Sequence, residues 1–385
     1  ITASDGEYDD RFGQSVELSE NWLFISANRD YEDNINSGSV YIYLLDDYSN
    51  VHFFDKIFPS DYSNDQYFGK DIASEGEWLA ISAIYDQDNG IKSGAVYLYQ
   101  FNGLNWVEHS KIVAFDGSQY DRFGYSVDIS NGKLIVGSIY DDDRGDNSGS
   151  AYLYQLIDNQ WNFINKICPE HLSSEDIFGS SVSISGNYIA ISSKQDDQNF
   201  NNSGSVSIFD LSLGDFEDYQ IIYSSDNDLY DYFGETVEIN NEILAVSSCY
   251  DDDNGYNSGS VYIFNLSNNV WQETSKIVPS DGAINDNFGI SIAIDNNWMA
   301  VGSIDDDHGI NAGAIYVFKL DNDLFVEKLK IIPNDIQEYD EFGNSVDINN
   351  NFLISGAIFD DDMGYDSGSA YFYEFKGCED MYACN

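Results

Sequence analysis

Apolar and polar positions in this chain fall into short strand-like runs separated by polar turns, and the order of the runs recurs. In one copy they read GYSVDI (Gly124–Ile129), KLIVGS (Lys133–Ser138), GSAYLYQL (Gly149–Leu156) and QWNFINKI (Gln160–Ile167). Ser130-Asn131-Gly132 between the first two is a hairpin signal, because Asn and Gly accept the left-handed backbone of tight turns. No stretch carries the period of a helix. The opening pair Phe-Gly returns at Phe12, Phe68, Phe123, Phe178, Phe233, Phe288 and Phe342, at intervals of 54 to 56 residues. A unit of this size cannot bury its own apolar faces and must stack on its neighbours. The pattern predicts an all-β fold over residues 1–375, a seven-bladed β-propeller with four antiparallel strands per blade.

The runs also order themselves from axis to rim. The first carries a small residue at Ser15, Ser126, Ser181, Thr236, Ser291 and Ser345, as strands crowding an axis require. The third is apolar on both faces, as in Val261-Tyr262-Ile263-Phe264, which suits a strand sandwiched between other sheets. Pro59, Pro169, Pro279 and Pro333 all fall just past the fourth run. Proline donates no ladder hydrogen bond, so the fourth run is the outer edge. Ile1–Gly6 matches Ile277–Gly282, the end of a fourth run, while the seventh copy stops at Phe375 without one. The N-terminal segment is therefore expected to supply part of the last outer strand and close the ring.

Composition narrows the partners. Of 385 residues, 42% are apolar and 15% aromatic, a folded composition. Sixty-eight acids against 16 bases leave a net charge of −52. Such a chain repels nucleic acid and anionic membranes, and it has no apolar run long enough to insert in a bilayer. Cations, cationic surfaces and neutral glycans remain open, and the expected partner is a glycan or protein on a surface, together with other domains of a longer parent chain. High salt tolerates an acidic surface, since the screening length there falls to roughly 4 Å, but it does not explain acids at fixed repeat positions. Cys168 and Cys249 sit at unrelated repeat positions and read as buried free thiols. Cys378 and Cys384 lie in the tail GCEDMYACN, where residues 376–385 read as the start of a separate linker or module, and could close a small loop in an oxidising compartment.

The acids cluster in two loops expected on one face of the ring. Between the second and third runs stand Asp86 with Asp88, Asp141-Asp142-Asp143, Asp251-Asp252-Asp253, Asp305-Asp306-Asp307 and Asp360-Asp361-Asp362. Weaker forms are Asp30 with Asp33 and Asp196 with Asp197. Leading into the first run are the pairs Asp5/Asp10, Asp116/Asp121, Asp226/Asp231, Asp281/Asp286 and Asp335/Asp340. Clustered hard oxygens on Gly-containing loops suit Ca2+, and the second-to-third loops are the candidate metal sites. Aspartate is also an ordinary turn residue, and a solvated acidic face needs no metal; the sequence leaves these readings open. Lys56, Lys111, Lys166, Lys276 and Lys330 recur at one outer-strand position, to discourage edge pairing or to balance acids. Trp106, Trp161 and Trp271 read as blade packing. Arg144-Gly145-Asp146 reads as a turn. His52, His109, His171 and His308 lack zinc spacing, and the carboxylates repeat rather than form one asymmetric pair, so no catalytic site is assigned. The fourth copy departs most, with Lys194, Gln195, Gln198, Phe200 and Ser207; a unique site would sit there.

The Phe-Gly openings, the Ile-Ser-Ala and Val-Gly-Ser segments and the Gly-Ser-Val-Tyr strands resemble FG-GAP repeats, the units of integrin alpha-chain propellers and of many bacterial extracellular proteins. The tail is similar to a Cys-containing segment common in secreted proteins of marine bacteria. The resemblance implies a secreted or cell-surface binding or adhesion domain contacting a glycan or protein. The alternatives are a structural subunit of a surface filament or layer, and a propeller enzyme acting on polysaccharide. Integrin-type relatives hold calcium in a D-x-D-x-D-G-x-x-D loop between strands one and two; this chain has short turns there, so that site does not carry over.

Overall fold

The computed structural model describes residues 1–32, 35–46, 49–305 and 309–374. Its main strands form six four-stranded sheets and one three-stranded sheet, the seven antiparallel blades of a propeller. Among the described residues there is no helix. Blade three consists of Phe123–Ser130, Lys133–Ser138, Ser150–Ile157 and Gln160–Ile167, hydrogen-bonded in that order. A short hairpin, Tyr31–Glu32 with Ile35–Asn36, decorates one loop of blade one and has no counterpart in the expected pattern.

The axis-to-rim order follows the sequence pattern. Inner strands line a central channel of about 850 Å³. Val261, Tyr262, Ile263 and Phe264 of a third strand are buried, whereas the outer strand Gln160–Ile167 is largely exposed. The two dipeptides that mark the repeat turn out to be one contact. Gly259, at the start of a third strand, bridges in parallel fashion to Phe288 of the next blade. Its φ is +83°, and a Cβ there would lie 2.2 Å from the Phe288 carbonyl oxygen. Only glycine allows the blades to approach so closely.

The ring closes through the N-terminus. The Ile1 amine donates to the Ala370 carbonyl at 2.7 Å, and the Ala370 amide donates back to Ile1 at 2.9 Å. Ala370 belongs to Ser369–Glu374, the third strand of blade seven, so the closing segment lies where its outer strand is expected. Trp106 and Trp271 are buried between sheets; Trp106 meets Trp22 and Phe24 of blade one edge-on. Cys249 is buried and free, but Cys168 is only partly buried. Cys378 and Cys384 lie outside the described residues.

Candidate functional site

Antiparallel pairing sends the second-to-third loop and the segment leading into the inner strand to the same face. In blade five they meet at a lysine. Lys276, on the outer strand Val270–Ile277, pairs in register with Tyr262 on the third strand. Its Nζ lies 2.7 Å from Asp226, 2.7 Å from Asp251 and 2.6 Å from Asp253. The Tyr262 hydroxyl, with one proton to share, lies 2.6 Å from Asp226 and 2.8 Å from Asp251, and the ammonium stands 5.0 Å from that ring's centroid. Burial opposes the ammonium, but three carboxylates outweigh it and raise the Lys276 pKa. Burial would likewise raise Asp226; hydrogen bonds from Lys276 and Tyr262 bring it below its ordinary value.

The cluster recurs around the ring. Lys111 joins Asp61, Asp86 and Asp88, and Lys166 joins Asp116, Asp141 and Asp143, all at 2.7 to 2.8 Å. Lys56 joins Asp5 and Asp30, and Lys330 joins Asp281. Balancing acids is thus the work these lysines do. In blade seven, Asp360 accepts from Tyr371, and the Ile1 ammonium feels Asp360, Asp335 and Asp362.

The aspartate triplets divide their labour. The first and third members reach the lysine in blades three and five. The middle one caps a turn: Asp142, Asp252 and Asp361 accept the amides of Asn147, Asn257 and Asp366 at 2.7 to 2.8 Å. Asp305 accepts from the Asn311 amide. Asp33, Asp306, Asp307 and His308 lie outside the described residues. Oxygens of Asp61, Asp86 and Asp88, and of Asp226, Asp251 and Asp253, converge within 4.8 Å, close enough for a metal ion. The lysine ammonium already bonds to those same carboxylates, so calcium fits only by displacing it.

The second aspartate of each pair closes a turn from inside. Asp121 accepts the Ser118 amide at 2.6 Å, and Asp10, Asp231 and Asp340 do the same for Glu7, Asp228 and Gln337; Asp176, which has His171 in place of a first aspartate, accepts the Ser173 amide likewise. Burial lifts their pKa to about 6 for Asp121, Asp176 and Asp231, and to about 7 for Asp10 and Asp340. In repeat two the acceptor is Gln66, so an uncharged group serves equally.

Two features escaped the sequence reading. First, channel-facing side chains stitch each inner strand to the next. Asp71, Asp128 and Asp347 accept the amides of Val127, Ile184 and Leu18 at 2.6 to 2.8 Å. Burial raises all three carboxyls, to about 6 for Asp128 and about 7 for Asp347, and likewise raises Glu17 and Glu238 well above the usual carboxylate range. Second, the loop face exposes apolar side chains at the blade junctions. Tyr365 and Tyr8 stack at 5.7 Å while 61% and 67% exposed. Ile91 adjoins Tyr120, Tyr256 adjoins Ile284, and Ile310 adjoins Tyr339, all exposed. A cleft of about 610 Å³ beside Tyr120 and Tyr140 lies at one such junction. The signal was an apolar residue just after the loop glycine.

Seven stacked blades, each opened by Phe-Gly and docked through a third-strand glycine, define a repeat propeller. The chain belongs to the FG-GAP repeat family, which matches residues 1–43, 53–99, 106–154, 161–209, 216–264, 271–318 and 325–373. Each match after the first begins on the outer strand of one blade, or in the case of 216–264 just before it, and ends on the third strand of the next. None of the curated proteins matches the chain in sequence. Among solved structures, the Pseudomonas aeruginosa periplasmic gluconolactonase PpgL is similar, with a TM-score of 0.52 at 12% identity over 84% of this chain and 86% of that one. At that identity the likeness is one of fold. No helix among the described residues is long and apolar enough to cross a membrane.

Proposed function

We propose that this propeller is an extracellular binding or adhesion domain whose loop face grips a neutral glycan or a protein surface. The observation that carries the reading is the set of exposed apolar pairs, above all Tyr8 with Tyr365 and Tyr256 with Ile284, held at rigid junctions on an otherwise acidic face. Exposed aromatics amid polar groups are the usual anchors of recognition surfaces. Lysine-filled acid clusters beneath them fix the loops, so little ordering is needed on binding. Calcium enters as a competitor of lysine rather than as a resident ion.

A glycan array and a surface-protein capture screen test this reading. Replacing Tyr256 and Tyr365 by serine should weaken the ligand found by at least about ten-fold while stability changes by only about 0.5 kcal/mol per site. Binding that survives the double substitution would remove the loop face from consideration.

A hydrolytic reading is second, favoured by the gluconolactonase fold and by channel carboxyls whose pKa burial raises, Asp128 to about 6 and Asp347 to about 7. Turnover of a lactone or polysaccharide abolished by Asp128→Asn would support it.

A further inference from the structure

The repeat loses its symmetry at one end of the central channel. Inner strands are entered from the loop face, so the residue after each Phe-Gly pair stands at that mouth. It lines the channel in every blade and is different in each, among them Lys70, Tyr125 and Glu235. The residue that follows the second strand is isoleucine in four blades, as at Ile84 and Ile139, but Lys194 in blade four. Lys194 reaches into blade five, where its Nζ lies 2.7 Å from a Glu235 carboxylate oxygen. Burial opposes this ammonium, but Glu235 outweighs it, with Tyr125 acting in the same direction. Lys70 Nζ stands 5.4 Å from the centroid of the Tyr125 ring. Lys70, Tyr125, Lys194 and Glu235 thus form one arc on the wall of an open channel of about 850 Å³.

The arc carries more donors than the protein satisfies. Lys70 forms no ion pair among the described residues, in a chain with 68 acids against 16 bases. The adjacent Asp71 bonds the Val127 amide at 2.8 Å instead. Lys194 has three N–H groups, and Glu235 takes one of them. Cations left over on so acidic a chain, facing a channel, are complementary to an anion from outside. At the next residue along the inner strands the chemistry reverses. The hydroxyls of Ser126, Thr236, Ser291 and Ser345 donate to the carbonyls of Gly179, Ile290, Gly343 and Gly13 in the following blade, at 2.7 to 3.0 Å. With their protons so used, these oxygens offer the channel only lone pairs. The mouth donates and the wall below it accepts.

We propose that this mouth binds a sugar acid, its carboxylate held by Lys70 and Lys194 and its hydroxyls donating to the serine and threonine oxygens below. Charge-assisted hydrogen bonds from ammonium to carboxylate are about twice as strong as neutral ones. The Tyr125 ring offers the sugar an apolar face. A neutral sugar would leave Lys70 uncompensated, and a simple carboxylate would leave the acceptors below unused. The net charge of −52 opposes an anion at long range, but charges beyond about 8 Å are screened at physiological salt, whereas the two ammonium groups act at contact. The acid arrives free or as the end residue of an acidic glycan. The site is separate from the exposed tyrosine pairs, and the proposal stands without them.

The test is a calorimetric titration of the whole chain with sodium D-glucuronate. D-glucose serves as the ring without the carboxylate, and sodium acetate as the carboxylate without the ring. Saturable binding of glucuronate is expected, at least about ten-fold tighter than either control. Each variant borrows a residue that another blade carries at the same position, so that the fold is kept. Lys70→Gln follows Gln14, and Lys194→Ile with Glu235→Asn follows Ile139 and Asn344 without stranding a charge. Each variant should weaken glucuronate by about ten-fold while its melting transition stays cooperative. Tyr256→Ser with Tyr365→Ser should leave glucuronate binding unchanged, which separates this site from the exposed tyrosine pairs. Methyl β-D-glucuronide binding as tightly as the free acid assigns the site to a glycan end, and its exclusion assigns it to the free acid. Equal binding of glucose and glucuronate, binding indifferent to both channel variants, or no saturable binding at millimolar glucuronate would each overturn the proposal.

Discussion

Blades four and five carry the same strand order and the same pairing at Ser207–Ile221 and Tyr262–Lys276, yet differ in what stands behind the loop face. In blade five, residues from four segments converge: Asp226, Asp251 with Asp253, Tyr262 and Lys276. In blade four the corresponding residues are His171, Asp196 with Gln198, Ser207 and Ile221. The cluster is therefore not required to form a blade. The lysine, its tyrosine and two of the three carboxylates are lost together, in keeping with the high cost of a carboxylate cluster stripped of its cation. Asp196 survives because its oxygens still bond Gln198 and Ser205.

The sharpest way to break this comparison is to remove the lysine alone. Lys276→Met leaves three carboxylates facing one another, and Asp251 is buried. A loss of about 2–4 kcal/mol is expected in urea unfolding, the lower part of the range for buried pairs because Asp226 and Asp253 reach water. Ile221→Met, at the equivalent position of blade four, should cost less than about 1.5 kcal/mol. Equal losses at the two positions would mean that the ammonium contributes nothing.

A smaller effect concerns calcium. Millimolar calcium should raise the Tm of Lys276→Met by several degrees, since a ligand bound only to the folded state stabilises it, and should leave the unmodified chain nearly unchanged. Calorimetry with and without chelator checks both arms. A chelator that lowers the Tm of the unmodified chain would show that calcium coexists with the lysines.

The contrast also marks what could be read from sequence. Blade number, strand order and the common face of the acid loops followed from the Phe-Gly spacing, the small inner residues and the proline positions, because local periodicity governs all of them. The sites were less legible. Asp226, Asp251 and Lys276 are separated by 25 residues at each step, and only the sheet register brings them together. The joint loss of the Asp226 and Lys276 counterparts from repeat four was the available signal: Ser207 and Gln198 stood out, but His171 and Ile221 did not, since neither looks unusual alone. The turn aspartates could not be told from metal ligands, because capping an amide and binding a cation use the same residue type.

The smallest expected effect is the one both blades share. Asp176 in blade four and Asp231 in blade five close equivalent turns, and burial raises each to about 6. A carboxyl with a raised folded-state pKa binds protons more tightly folded than unfolded. Its stabilisation is therefore present below the unfolded value near 3.8 and is lost as pH rises through the folded value. With Asp10, Asp121 and Asp340 acting in the same direction, lowering the pH from 7.5 to 5 should raise the Tm by about 3–6 °C. Half-buried His171 opposes this, since its lowered pKa favours the fold above its ordinary value near 6.5. Below pH 4 the trend reverses, because Asp61, Asp116, Asp226 and Asp281 have depressed values and their ion pairs fail as they protonate. Asp176→Asn and Asp231→Asn should each flatten the slope between pH 7.5 and 5 by the same amount with little loss of stability, as Gln66 already does the same work. Unequal changes in slope would mean that the environment of the turn, and not only the lysine cluster, differs between the two blades.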